Sequence, residues 1–150
     1  MKPMIITTAV NQPDFIALQD ALIKKYCAHD VQFVVVNDAK EEPDFSNMFD
    51  DTVVARIDDI CRRRGIAHYR VPPRTHYFHW RVFGRFYPSR RNKTPSCRTA
   101  VAIQWALKNI AFPTERRVLI IDSDMFPIRE FSVHQILSDS EIAGVRQERT

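Results

Sequence analysis

Short apolar runs alternate with helical apolar stripes along most of the chain, and their order predicts an α/β fold. Strands are predicted at Met4–Thr8, Val31–Val36, Ile66–Val71, Val118–Ile121 and Glu141–Arg146. Helices are predicted to begin near Asn11 and Pro13, to end at Gly65, to begin at Thr94–Pro95 and to cover Ser132–Leu137. This alternation predicts one domain over residues 1–150, with a three-layer, mainly parallel, doubly wound sheet.

Three helices carry an apolar face, whereas residues 72–94 show no clean period. This basic and aromatic segment is interpreted as an irregular loop with solvated arginines, as an acceptor or donor-phosphate site, or as a nucleic-acid contact. The predicted faces are Phe15, Leu18, Leu22 and Tyr26 for the first helix, Val53, Val54, Ile57, Ile60 and Cys61 for the second, and Ala102 or Ile103, Ala106 or Leu107, and Ile110 for the third.

The strongest chemical signal is a pair of acids at the end of a predicted strand. Val118–Ile121 is predicted to be buried on both faces, and Asp122, Ser123 and Asp124 follow it directly. Ligands of open α/β sheets bind beyond the carboxyl ends of the strands. If strand alternation continues through the exit, both carboxylates lie on the same side. Such a pair suits Mg²⁺ or Mn²⁺, with coordination positions left for phosphate oxygens.

Charge is distributed unevenly along the 150 residues, although the net charge is only +4. Residues 1–59 carry 5 basic and 11 acidic side chains, residues 60–114 carry 12 basic and none acidic, and residues 115–150 carry 5 and 7. A basic middle segment favours a polyanionic partner, such as a nucleotide diphosphate, a nucleic acid or an anionic surface.

The cysteine pattern and the amino-terminal region bear on location. Cys27, Cys61 and Cys97 are odd in number and lack CxxC spacing, which favours reduced thiols over a disulfide or zinc framework, with Cys61 in the core. No secretory signal or membrane-spanning run is visible at the amino terminus. We therefore expect a cytoplasmic protein without a transmembrane segment.

The segment Ile120–Ile128 resembles the DxD region of nucleotide-sugar glycosyltransferases of the GT-A fold. The resemblance extends upstream to a helix with Trp105 before the DxD strand, and to a strand–helix–strand unit over residues 3–38. It covers nearly the whole chain in the order of elements, but only about nine residues in detail. It implies a metal-dependent glycosyltransferase with a nucleotide-diphosphate sugar donor, UDP-sugar being favoured.

The resemblance also implies roles for particular positions. Asp124 would bind Mn²⁺ or Mg²⁺, and Asp122 would bind the metal or the ribose hydroxyls. The remaining donor-site candidates are Thr8, Ala9 and Asn11 near the base, Asp38 near the base or ribose, and Arg98 near the pyrophosphate. No candidate emerges for a third metal ligand or a general base, so the catalytic residues are unassigned. The chain ends just after its last predicted strand, which favours an amino-terminal, donor-binding part of a longer protein.

Five of these residues also have a simpler interpretation. The two aspartates can be solvated turn acids, Asp38 a loop or capping residue, Asn11 a helix cap, and Arg98 a solvated residue at a helix start. His68, His76 and His79 are interpreted as structural or exposed.

Two other function classes remain open. A haloacid-dehalogenase-like phosphotransferase also ends a buried strand in DxD, but Phe126 stands where that family has a small hydroxyl residue or Val, and the motif comes late in the chain. A non-catalytic module could use residues 60–114 to bind nucleic acid or an anionic surface. Nucleic acid is disfavoured as a partner, because no RRM, KH or helix-turn-helix pattern accompanies the charge.

Overall fold

The centre of the fold is a parallel sheet whose four strands lie in the spatial order Ala67–Arg70, Gln32–Asn37, Met4–Ala9 and Val118–Ile121. The computed structural model describes residues 1–40, 50–82, 85–91 and 95–137, and side chains outside residues 77–96 and 137. The strands are β1 (Met4–Ala9), β2 (Gln32–Asn37), β3 (Ala67–Arg70), β4 (Tyr77–Val82), β5 (Arg85–Arg91) and β6 (Val118–Ile121). The α-helices are α1 (Pro13–Tyr26), α2 (Val53–Arg64), α3 (Pro95–Ala106) and the short α4 (Val133–Leu137).

Helices cover both faces of this sheet, which confirms the predicted three-layer α/β architecture. Alternate residues of the strands point to opposite faces. Ile5 of β1 lies in the core cluster that contains buried residues of α1 and α2, whereas the next residue, Ile6, lies in the cluster that contains buried residues of α3. A π-helical turn at Leu107–Ala111 extends α3 and adds Ile110 to the second cluster.

The second helix matches its prediction closely. Val53, Ile57 and Cys61 are buried along one face of α2, and Gly65 follows the helix with φ of 67° and ψ of 28°. Its N–H donates to the carbonyls of the last turn. Glycine adopts this left-handed backbone conformation more easily than other residues do, so Gly65 predicts the end of the helix correctly.

The first helix begins as predicted at Pro13, but its buried face is rotated by about one residue. Ile16, Gln19 and Ile23 are buried, whereas Leu18 of the predicted stripe is 46% exposed. The N-cap residue is Gln12, without a side-chain capping bond, so the interpretation of Asn11 as the cap is wrong. Gln19 points inward and its side-chain amide donates to two main-chain carbonyls beyond the end of β6, contacts that residue hydrophobicity alone does not reveal.

Residues 72–94 are more regular than expected. A 3₁₀ turn at Pro73–His76 leads into β4, and β4 pairs with β5 as an antiparallel hairpin. The predicted irregular loop is therefore wrong for the strands of this segment. The described residues exclude 41–49, 83–84, 92–94 and 138–150. Thr94 of the predicted third-helix start and the predicted strand Glu141–Arg146 therefore lie outside them.

Strand β6 has the predicted bounds but not the predicted burial. All four of its residues are half-buried, because within the described residues β6 pairs only with β1 and forms an edge of the sheet. The expectation of burial on both faces is thus wrong for this part of the chain. Among the described helices, none combines the length and the apolar character required to cross a bilayer.

Candidate functional site

The parallel register brings the predicted residues to one edge of the sheet, here called the carboxyl edge. Ala9 of β1 pairs with Asn37 of β2, so Asp38 follows beside the end of β1. On the other side, Thr7 pairs with Ile121, which brings Asp122 beside the Thr8 position of the sheet. Ends of parallel strands are where open α/β sheets bind ligands.

Asp122 and Asp124 belong to a tight turn that begins directly after β6. The Met125 N–H donates to the carbonyl oxygen of Asp122 across 3.1 Å, which closes a four-residue turn over residues 122–125. Strand alternation ends at Ile121, so the argument that alternation places both carboxylates on one side is wrong. The conformation of the turn sets their directions instead.

The two aspartates of this turn suit a hard divalent cation. Both residues are exposed, and within the described residues neither carboxylate has a hydrogen bond or an ion pair. Mg²⁺ is typically held by one or two carboxylates together with water and substrate phosphates. The described residues contain no cluster of three or more histidine, cysteine or acidic side chains arranged for a metal.

Helix α1 contacts this turn through hydrogen bonds and a ring contact. The side-chain amide of Gln19 donates to the carbonyl oxygens of Asp122, at 2.8 Å, and of Met125, at 3.0 Å. Just beyond the turn, the ring of Phe126 meets the ring of Phe15 edge to face, with centroids 5.2 Å apart. Sequence reasoning missed Gln19, although one signal was available: it is polar and lies on the helix face that contains Ile16 and Ile23.

Asp38 lies at the centre of a buried polar cluster. Its carboxylate is 1% exposed, and its Oδ1 atom accepts a 2.6 Å hydrogen bond from Nε2 of His76. Arg98, in the first turn of α3, donates Nε to Oδ2 at 3.1 Å and Nη2 to the main-chain carbonyl of Asp38 at 2.8 Å. With the carboxylate as acceptor, Nε2 of His76 is assigned as the donor of this bond.

This cluster changes the interpretation of two predicted site residues. Arg98 is 7% exposed and paired with Asp38, so the interpretation as a solvated helix-start residue is wrong. The structure brings Asp38 and Arg98 together, but their bonds serve each other. Contacts of Asp38 with a ribose and of Arg98 with a pyrophosphate stay predictions. Sequence reasoning also missed that His76, 2% exposed, is the third member.

Asn37 and Arg70 fix the main chain next to this cluster. The Asn37 amide donates to the carbonyl of Val54 at 3.1 Å and to the carboxylate of Asp58 at 2.8 Å, while its oxygen accepts from the Ala39 N–H. Arg70 donates to the main-chain carbonyls of Asn37 and Ala39 at 3.0 and 2.6 Å. These bonds attach the segment that carries Asp38 to α2 and β3 at the carboxyl edge.

The end of β1 presents mainly main chain at this edge. Thr8 and Ala9 are buried, at 5% and 1% exposure, and the Ala9 carbonyl accepts the Asp38 N–H at 2.8 Å. Asn11 is half-buried and precedes α1. Of the three residues predicted near a base, Asn11 therefore has the most accessible side chain.

Comparisons with known proteins gave no match: neither a family model, nor a curated protein, nor a solved structure matches this chain.

Proposed function

We propose that this chain binds a nucleotide-diphosphate sugar, with UDP-sugar favoured, together with Mn²⁺ or Mg²⁺, and serves as the donor-binding part of a GT-A-like glycosyltransferase. One observation carries the proposal: the Asp122–Asp124 turn lies at the carboxyl edge of a parallel α/β sheet, beside the end of β1. The strand order β3-β2-β1-β6 supports it. From β1 the chain continues to β2 and β3 on one side, whereas β6 is added on the other side, and ligands of open α/β sheets bind at such switch points.

In the proposed site, two regions of the carboxyl edge bind different parts of the donor. Asp122 and Asp124 would hold the cation, which acts as a Lewis acid on the diphosphate leaving group when bound. Asn11 and the main chain at Thr8 and Ala9 would face the base. No residue is assigned as a general base, and the acceptor, the transferred sugar and the stereochemical course are left open. A cytoplasmic location likewise stays a prediction.

The Asp38 cluster would contribute rigidity more than direct contact. Its carboxylate and the guanidinium of Arg98 satisfy each other, and Asn37 and Arg70 fix the adjoining main chain. Groups that already bond one another in this way require little reorganisation when a ligand arrives. In this proposal Asp38 and Arg98 keep the end of β2 in place beside the ribose.

Calorimetric titration with UDP and GDP, each with and without Mn²⁺, tests the proposal. We expect one nucleotide to bind in a Mn²⁺-dependent manner, and Asp124→Ala to abolish that dependence. Asp30→Ala is the matched control, because it removes an exposed carboxylate just before β2, at the opposite edge of the sheet. A folded protein that binds neither nucleotide would refute the proposal for this chain.

A second candidate function is polyanion binding by the β4–β5 hairpin. The hairpin register pairs Tyr77 with Arg91, Phe78 with Arg90, and Arg81 with Phe86, so basic and aromatic positions are opposite each other three times. Basic groups beside aromatic ones favour phosphate contact and base stacking. Binding to single-stranded nucleic acid that falls steeply with salt and needs no Mn²⁺ would support this alternative.

A further inference from the structure

We infer that Gln19 is a positioning residue for metal binding at the Asp122–Asp124 turn, an inference that rests on the proposed donor-binding function. Gln19 is fully buried in the middle of α1, 103 residues before Asp122 in the chain. Its amide nitrogen lies 2.8 Å from the Asp122 carbonyl oxygen and 3.0 Å from that of Met125. Neither of the aspartate carboxylates takes part, so both stay available to a cation.

The orientation of the Gln19 amide follows from its neighbours. Carbonyl oxygens only accept hydrogen bonds, so the NH₂ group must face them, and each of its two hydrogens has one acceptor. Methionine has nearly the same length and volume and would fill the same space. It would leave the carbonyls of Asp122 and Met125 without this donor. The two polar contacts are therefore what glutamine adds at this buried position.

These contacts restrain the turn at both of its ends. Gln19 binds the first and last carbonyls of the turn, and the Met125 N–H closes it onto Asp122. Asp124 lies between these anchored points, so its main chain has little freedom. Without the amide, binding a cation would require the turn to be ordered first, and that ordering would oppose metal affinity.

The same helix connects the metal turn to the proposed base-binding segment. Helix α1 begins at Pro13, two residues after Asn11, and contacts the turn again through the Phe15–Phe126 ring pair. Helix α1 thus runs from the loop after β1 to the turn after β6, and Gln19 is its hydrogen-bond contact with that turn. We expect this link to appear as a contribution of Gln19 to the metal dependence of nucleotide binding.

Gln19→Met is the direct test, with Gln104→Met as the matched control because Gln104 is exposed on α3. Mn²⁺ affinity is measured by electron paramagnetic resonance, and UDP and GDP affinity by calorimetry with and without Mn²⁺. We expect Gln19→Met to weaken Mn²⁺ binding about 10- to 100-fold, as loss of supporting contacts around metal ligands does. Nucleotide binding without metal should stay unchanged, and the Met125 amide should exchange its hydrogen faster.

The outcomes separate this inference from the proposed function. Wild-type protein without Mn²⁺-dependent nucleotide binding would refute the proposed function itself. Normal wild-type binding with equal Mn²⁺ affinity in Gln19→Met would overturn the positioning role alone, as would a parallel loss of metal-free nucleotide binding. If Gln19→Met does not fold, Gln19→Asn keeps the amide but withdraws it by one methylene, and the same weakening of Mn²⁺ binding is expected.

Discussion

Removing the Arg98 guanidinium should destabilise the fold strongly, because it leaves a buried carboxylate without its cation. In Arg98→Met, Asp38 would keep only the His76 bond, at 1% exposure of its carboxylate. The Asp38 carbonyl would also lose its 2.8 Å donor. Breaking a buried pair on one side costs about 3–5 kcal/mol, a large part of a total stability of about 5–15 kcal/mol. For a domain of this size the melting temperature should fall by roughly 6–20 °C.

Urea unfolding followed by circular dichroism measures this loss, and a second substitution tests its cause. Asp38→Asn keeps an oxygen that accepts from His76 but removes the charge. If the unpaired carboxylate is the reason for the loss, the double variant Arg98→Met/Asp38→Asn should be more stable than Arg98→Met alone.

The matched control is Arg56→Met. Arg56 pairs with Asp14 at 3.3 Å, but both side chains are exposed, so its loss should cost only about 0–1 kcal/mol. A free energy of unfolding for Arg98→Met equal to that of Arg56→Met would refute the reasoning, as would a double variant that is less stable than either single one.

Three further predictions follow from other parts of the structure. Burial, with smaller contributions from Asp58 and Asp20, raises the pKa of the Cys61 thiol to about 12. In native protein at pH 8, iodoacetamide should therefore label the exposed Cys97 but not Cys61, as detected by mass spectrometry. Rapid labelling of Cys61 would contradict its burial. Gly65→Ala should lower the free energy of unfolding by about 1 kcal/mol, since φ is 67° and no atom lies within 4 Å of an added Cβ, so backbone strain is the cause; an unchanged urea midpoint would refute this. Loss of hydration, then the neighbouring His29 and Arg117, lowers the pKa of His134 below 6.5, so its neutral form is favoured in the fold and any stability it contributes is lost as pH falls through 6.5. The midpoint of the His134 NMR titration should lie below 6.5 and rise in Arg117→Gln. A midpoint above 6.5 would contradict this prediction.

Local patterns carried the fold prediction a long way. The strand β6 has the predicted bounds, and α2 has its predicted face and its end at Gly65. Branched residues in short runs and a glycine after a helical stripe act through neighbouring residues, which a sequence displays directly. The parallel arrangement followed from the alternation of strands and helices alone.

The errors arose where local pattern and tertiary contact disagree. The stripe through Leu18 is apolar enough to face the core, yet the helix turns Gln19 inward to meet two carbonyls of a distant turn. Alternation through Asp122 assumed a continuing strand, whereas the chain turns there. Periodicity also failed to reveal the hairpin, because basic and aromatic residues follow one another along its two strands without a regular apolar–polar alternation.

By itself, the sequence determined the α/β class, the order of the elements and the acidic pair that ends a strand, since these depend on side-chain type and spacing. Only the tertiary structure decided the partners of the site residues. His76 and Arg98 reach Asp38 from 38 and 60 residues away, and Gln19 reaches Asp122 from 103 residues away. Such contacts depend on how the sheet and helices pack in three dimensions, and a linear pattern of polar residues does not specify which buried donor meets which acceptor.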